Sequence, residues 1–234
     1  MKKFVVLALV CALGFIFPFG CSMNLDSAVE NNLSEIRKNV FEGKNDSLTV
    51  SFMSGVREEP YEYNGKSEEN IDFGIFTVYF NEFVGSYKVP FVATINDEKF
   101  EGMIEKHPFN ESYMVDIGYV APDDAEIIIS INNGAGVVLE NISSNWNVNW
   151  QQALELGKTY LNDELNEILS AGKFEAECYL KPVTDEEFIS GQYFWAFSII
   201  NTNFQKYIVI FDVNSGDLLV KNKSNWQKFK SQLK

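Results

Sequence analysis

The chain has 234 residues, with 33 acidic against 19 basic side chains and a net charge of −14 at pH 7. That balance excludes a nucleic-acid binder, whose phosphates demand clustered Lys and Arg, and it opposes docking of the protein surface on anionic lipid headgroups. A hydrophobic content of 46% with 20 Phe, 10 Tyr and 4 Trp excludes a disordered chain and is enough for a sizeable core.

Lys2 and Lys3 open the chain, and an apolar run from Phe4 to Phe19 follows, interrupted only by Gly14 and Pro18 and ending at Gly20 and Cys21. A charged start, a short apolar segment and a small residue at its end predict a secretory signal over residues 1–21, not a spanning helix. The segment resembles a bacterial lipoprotein signal, in which a small residue precedes a cysteine that is lipidated and becomes the mature N-terminus. Gly20 and Cys21 match that pattern. Pro18 and Phe19 depart from it, because the family places Leu and a small residue there. The resemblance implies a lipid on Cys21 and an extracytoplasmic protein anchored to the cell membrane. Plain cleavage with secretion and an uncleaved anchor are the alternatives. Cys11 leaves with the signal, and Cys178 is read as a buried thiol. Without lipidation, a Cys21–Cys178 disulfide becomes possible.

Residues 22–43 read as a polar tether followed by an amphipathic helix. Asp26 and Ser27 are candidate caps, and Val29, Leu33, Ile36 and Val40 recur at helical spacing up to Phe41. From 44 to 143 the signal is β. Leu48, Val50 and Phe52 alternate with polar residues, Gly55 to Asn70 reads as a long polar loop, and Ile71 to Val84 is a strand with both faces covered. Val89 to Ile95 and Lys99 to Glu105 flank Asn96-Asp97-Glu98 as a hairpin. Tyr113 to Tyr119 is a further strand. Glu126 to Ile131 and Val137 to Ile142 flank Asn132-Asn133-Gly134, residues that favour the left-handed backbone of a tight turn. Short strands at this spacing predict an antiparallel β-sandwich-like domain.

Residues 144–234 predict an α+β unit. Trp150 to Ala171 is a helix with a Leu154, Leu161, Leu165 and Ile168 stripe and Gly172 beyond its end. Strands at Phe174 to Leu180, Tyr193 to Ile200, Tyr207 to Phe211 and Asp217 to Val220 follow, then a short tail helix capped by Ser224. The run Tyr207-Ile-Val-Ile-Phe-Asp-Val-Asn-Ser-Gly-Asp-Leu-Leu219 resembles the closing hairpin of a PepSY module. This resemblance implies one helix packed on a short antiparallel sheet, in a family of secreted and envelope proteins. Residues 35–80, through Arg37 to Gly43, Ser54 to Tyr61 and Asp72 to Gly74, also resemble an uncharacterised group of secreted proteins and lipoproteins from low-GC Gram-positive bacteria. The fold class expected is therefore α+β, a β-sandwich-like domain followed by a PepSY-like one.

No catalytic set emerges from the residues. His107, the single histidine, lies between strands in polar company, and no nucleophile elbow accompanies it. Asp72-Phe73-Gly74 copies a kinase triplet without the rest of that signature and reads as a strand start. Asp212, Asn214 and Asp217 begin like a calcium loop, but the glycine is displaced and the closing Glu is missing; Asp123 and Asp124 read as a solvated turn. No metal or cofactor is expected. Candidate binding residues are Arg57, Tyr61 and Tyr63 in the long polar loop, and Trp146 and Trp150, whose aromatic faces lie beside amides and suit sugar stacking or packing at the domain junction. The function expected is a non-enzymatic envelope lipoprotein that binds an envelope protein or a cell-wall partner at the outer face of the cytoplasmic membrane. The rivals are a cell-wall-active hydrolase and an accessory or sensory subunit of a membrane complex.

Overall fold

The computed structural model describes residues 24–60, 69–82, 84–169, 173–184 and 191–225. The first described element is the short helix α1 (Leu25–Glu30), capped by the Asn24 side chain, which accepts from the Asp26 N–H. The tether-proximal helix ends there. The strand β1 (Leu33–Lys44) replaces the amphipathic helix expected up to Phe41. The helical spacing that suggested it comes from two irregularities in the strand. Leu33 lies opposite Cys178 and Glu35 opposite Tyr179, so Ser34 is an extra residue and Leu33 and Ile36, three apart, share one face. Lys38 is likewise bulged out between Arg37, opposite Gly55, and Asn39, opposite Ser54.

β1 is followed by β2 (Leu48–Glu58), β3 (Asn70–Phe80), β4 (Lys88–Ile95), β5 (Glu98–Lys106), β6 (Tyr113–Asp116), β7 (Ile127–Ile131) and β8 (Val137–Asn141). These eight strands pair antiparallel in the order β1-β2-β3-β6-β5-β4-β7-β8, and the pairs Phe41–Asn141 and Glu42–Glu140 join β8 back to β1. The expected sandwich is thus a closed barrel, and the α+β assignment is overturned: more than half of the described residues are strand. Alternating short strands fit either architecture. Closure depends on one pairing between segments a hundred residues apart, which periodicity does not encode. The hairpins themselves form where their turns were read, with Asn96, Asn132 and Asn133 at positive φ.

The barrel is filled, not hollow. Phe41, Phe52, Phe76 and Phe91 are buried along its interior, with successive ring centroids 6.3, 4.4 and 6.3 Å apart. Charged Lys88, Lys99, Glu101, Glu105 and Glu140 are exposed on the outside, the reverse of a membrane-spanning barrel, whose outer band is apolar. One end of the interior is polar and fully partnered. Asn39 donates to the Ala121 carbonyl at 2.7 Å, and Ser54 donates to Asn39 Oδ1 and accepts from the Ala121 N–H.

After a 3-10 turn (Ile142–Asn145) come α2 (Trp150–Tyr160) and α3 (Asn162–Leu169). Asn149 and Gln152 form a capping box at the start of α2. The single long helix expected from Trp150 is broken at Leu161, whose non-helical backbone lets its side chain reach full burial. Four strands follow: β9 (Ala176–Thr184), β10 (Tyr193–Asn201), β11 (Gln205–Asp212) and β12 (Leu218–Asn225). They do not form a separate PepSY-like sheet. β9 pairs in parallel with the first half of β1, so all twelve strands are one sheet. Ser224 lies in β12, and the tail expected to be helical beyond it falls outside the described residues.

The three helices cover one face of this wing and share a second core with Ile36, Val40, Leu180, Trp195, Phe197 and Phe211. α2 lies flush on β10 at Gly157, where an added Cβ would come within 2.5 Å of the Phe197 ring. Lys158, 6% exposed, ties α1 to α2 through Asp26 at 2.9 Å and Glu155 at 2.6 Å.

β1 therefore holds both cores, and its bulge needs Gly55. A Cβ on Gly55 would sit 1.8 Å from the Ile36 carbonyl oxygen, a contact with backbone that cannot rotate away. Gly55→Ala is expected to lower stability by about 1–3 kcal/mol, the range of overpacked core sites, read as a lower urea midpoint at unchanged slope. A midpoint equal to that of the parent chain contradicts the bulge.

Candidate functional site

The candidate site lies on the face of the sheet that the helices leave uncovered, and cross-strand register assembles it. Glu35 on β1 is opposite Tyr179 on β9 and Arg57 on β2, which places the three in a row. In the next row Arg37 is opposite Gly55, and Gly55 is opposite Phe73 on β3. Gly55 has no side chain, so Arg37 can reach across it. The Arg37 guanidinium carbon lies 5.9 Å from the Phe73 ring centroid, and that of Arg57 lies 5.4 Å from the same centroid. Phe73 is fully buried beneath them. These are the only two arginines of the chain, against 17 lysines.

Each guanidinium is held in place. Glu35 Oε1 accepts from Arg37 Nε at 2.6 Å, and Arg37 Nη1 lies 3.4 Å from Met53 Sδ. Arg57 Nη2 pairs with Asp116 Oδ2 at 2.7 Å. The other oxygen of Asp116 accepts from the Gly74 and Gly118 N–H groups at 3.0 and 2.9 Å, so the carboxylate is itself fixed by backbone. A guanidinium has five N–H donors. Most of those on Arg37 and Arg57 make no hydrogen bond among the described residues. Their side chains are 26% and 35% exposed, which leaves the donors within reach of a ligand.

Lys181 on β9 stands beside this pair. It is half-buried and makes no hydrogen bond or ion pair among the described residues. Burial holds its amine below the ordinary lysine range; Glu35 opposes that shift, and the Arg37 and Lys206 charges reinforce it. Further along β9, Glu177 is fully buried and accepts from the Tyr179 hydroxyl. Arg37, Arg57, Lys181 and Lys206 face the carboxylates Glu35, Asp116 and Glu177. Among the described residues, a strongly acidic protein thus has four cations to three carboxylates on one partly buried face.

Of the residues singled out in the sequence, only Arg57 belongs to this cluster, and it sits in β2, not in a loop. Tyr61, Tyr63 and Cys21 lie outside the described residues. Trp146 and Trp150 are on the helix-covered side. Trp146 packs against Tyr193 and, edge to face, Trp195, with both centroids at 5.4 Å. Trp150 opens α2 with the bulged Lys38 amine 5.7 Å from its ring centroid. Both are junction packing, and the sheet separates them from Arg57. His107 is a turn residue whose Nδ1 accepts from the Phe109 N–H at 3.2 Å. Asp212 Oδ1 accepts from the Asn214 and Ser215 N–H groups, bonds that hold its carboxyl below the usual range and occupy the atom a cation would need. Cys178 is buried in the helix-side core, and burial pushes its thiol far up, so it is inert. Among the described residues, no three His, Cys, Asp or Glu side chains are grouped to hold a metal ion, and no helix is long and apolar enough to cross a membrane.

Arg37, Phe73, Asp116 and Lys181 were not among the binding candidates that the sequence suggested. One signal was available: a chain that uses lysine almost throughout has arginine at two positions alone. No protein family, curated protein or solved structure matches the chain.

Lys181 supplies a stability test. Its folded-state pKa lies below its unfolded value, so the unfolded chain binds more protons in the window just below the ordinary lysine value of about 10.4, and stability rises with pH across it. At neutral pH the charged amine opposes folding. Lys181→Met is therefore expected to raise the melting temperature at pH 7 and to flatten the rise that approaches the ordinary lysine value from below. A lower melting temperature at pH 7 would show that the amine has a stabilising partner.

Proposed function

We propose that this protein is a non-enzymatic binding module of the cell envelope. A lipid on Cys21 holds it at the outer face of the cytoplasmic membrane, and the Arg37–Arg57 face engages an envelope protein or a cell-wall partner. The observation that carries this reading is the meeting of the chain's two arginines over one buried ring, each braced by a carboxylate and each with donors to spare. Bracing of that kind lowers the entropy lost when a partner is bound.

The placement of α1 supports the tether. Only two residues separate Cys21 from the first described residue, Asn24, a reach of about 10 Å. Ala28 and Val29 of α1 are buried in the helix-side core, and Asp26 is paired with Lys158. A lipid on Cys21 would hold the folded body close to the bilayer by its helix side, with the arginine face on the other side of the sheet. Confinement of that kind raises the effective concentration of the module for a surface partner.

Two measurements test the proposal. Cys21→Ala is expected to move the protein from the membrane fraction to the medium; retention in the membrane fraction would remove the tether. Arg57→Gln, checked for an unchanged circular dichroism spectrum, is expected to reduce retention on isolated cell envelopes several-fold. Equal retention would remove the arginine face as the binding surface.

A further inference from the structure

We infer that Arg37, Arg57 and Lys181 form a site for an oxyanion, the carboxylate or phosphate end of a ligand. The inference rests on the reading of this face as the binding surface and specifies its chemistry. Three geometric facts carry it. First, the guanidiniums are fixed from below by Phe73 and from the side by Glu35 and Asp116, so their planes are set before a ligand arrives. Planar N–H pairs in fixed orientation are the donors that match two oxygens of one carboxylate or phosphate. Second, Lys181 is a half-buried cation with no partner of its own among the described residues, placed next to Arg37 in the same face. Glu35 is the one carboxylate that acts on it among the described residues, and that attraction does not outweigh its burial. Third, the chain carries a net charge of −14, so these cations stand against the overall field of the protein, which favours a small charged end group over a polyanion.

Lys181 also explains its own cost. A half-buried cation beside Arg37 and Lys206 opposes folding, and its amine titrates low because burial, reinforced by these neighbours, outweighs the attraction of Glu35. An oxyanion bound between Lys181 and the guanidiniums would reverse both effects. The Lys181 position is then destabilising in the free protein and useful in the bound one, as binding sites commonly are.

The test uses the whole chain, titrated with sodium phosphate and, separately, sodium acetate, each against sodium chloride at matched ionic strength, with the melting temperature and isothermal calorimetry as readouts. The parent chain is expected to be stabilised by at least one of the two oxyanions beyond chloride. A response to phosphate alone assigns a phosphate end group, and a response to acetate alone assigns a carboxylate. Lys181→Met and Arg57→Gln are each expected to weaken binding by about tenfold, the share of one charge-assisted hydrogen bond. Lys181→Met is the sharper variant, because it is expected to be more stable than the parent while losing the anion. The inference fails if neither oxyanion exceeds chloride, or if the response persists unchanged in both variants. If envelope retention still depends on Arg57 while no oxyanion binds, this inference fails and the proposed function stands. If envelope retention is also insensitive to Arg57, both fail.

Discussion

Everything in this protein hangs on one strand that pairs three ways. β1 lies along β2 over its whole length, takes β9 beside its first half and takes β8 beside its second. The first pairing extends the wing, and the last closes the barrel. The bulge at Lys38 lets a single strand serve both, because it turns the ladder where the two sheets diverge. Gly55 is the complement of that bulge, since its partner strand has to approach the β1 backbone more closely than any Cβ allows. Side chains follow the same division: Ile36 and Val40 enter the helix-side core, and Phe41 enters the barrel.

The candidate site is a product of this junction. Arg37 precedes the bulged residue, and Gly55 opposite it is the gap across which Arg37 meets Phe73. The glycine required by the backbone is thus also the opening that brings two arginines to one ring. Two like charges so close repel, and Glu35 and Asp116 offset that repulsion. Asp116 does so from a fixed position, held by the N–H groups of Gly74 and Gly118. Burial, with the Arg37 and Lys206 charges, disfavours the charged amine of Lys181, and nothing in the folding of either core requires a cation there. Residues that a fold does not need, and tolerates at some cost, point to binding.

Legibility differed sharply between the parts. The barrel hairpins were readable because their turns are local: Asn96, Asn132 and Asn133 use left-handed backbone that few residues adopt. The helices after residue 149 were readable from their apolar stripe, though not the break at Leu161, which follows from burying Leu161 and Leu165 in the same core. β1 was misread because a strand buried on both sides, with an extra residue in each ladder, shows no alternation and can mimic a helical period. The site was barely legible, since Arg37, Arg57, Asp116 and Lys181 come from four strands and share no motif.

The sequence by itself determined an apolar N-terminal run ending in Gly20-Cys21, a net negative charge, and the strands whose turns are encoded by adjacent residues. These are local properties, set by a few neighbouring side chains or by a simple sum of charges. Only the tertiary structure decided that the sheet closes into a barrel, that β9 joins it through β1, and that the two arginines stand over Phe73. Each of those depends on pairings such as Phe41 with Asn141 or Leu33 with Cys178. Such pairings form because both cores must be buried at once, and no local pattern records which distant strand satisfies that demand.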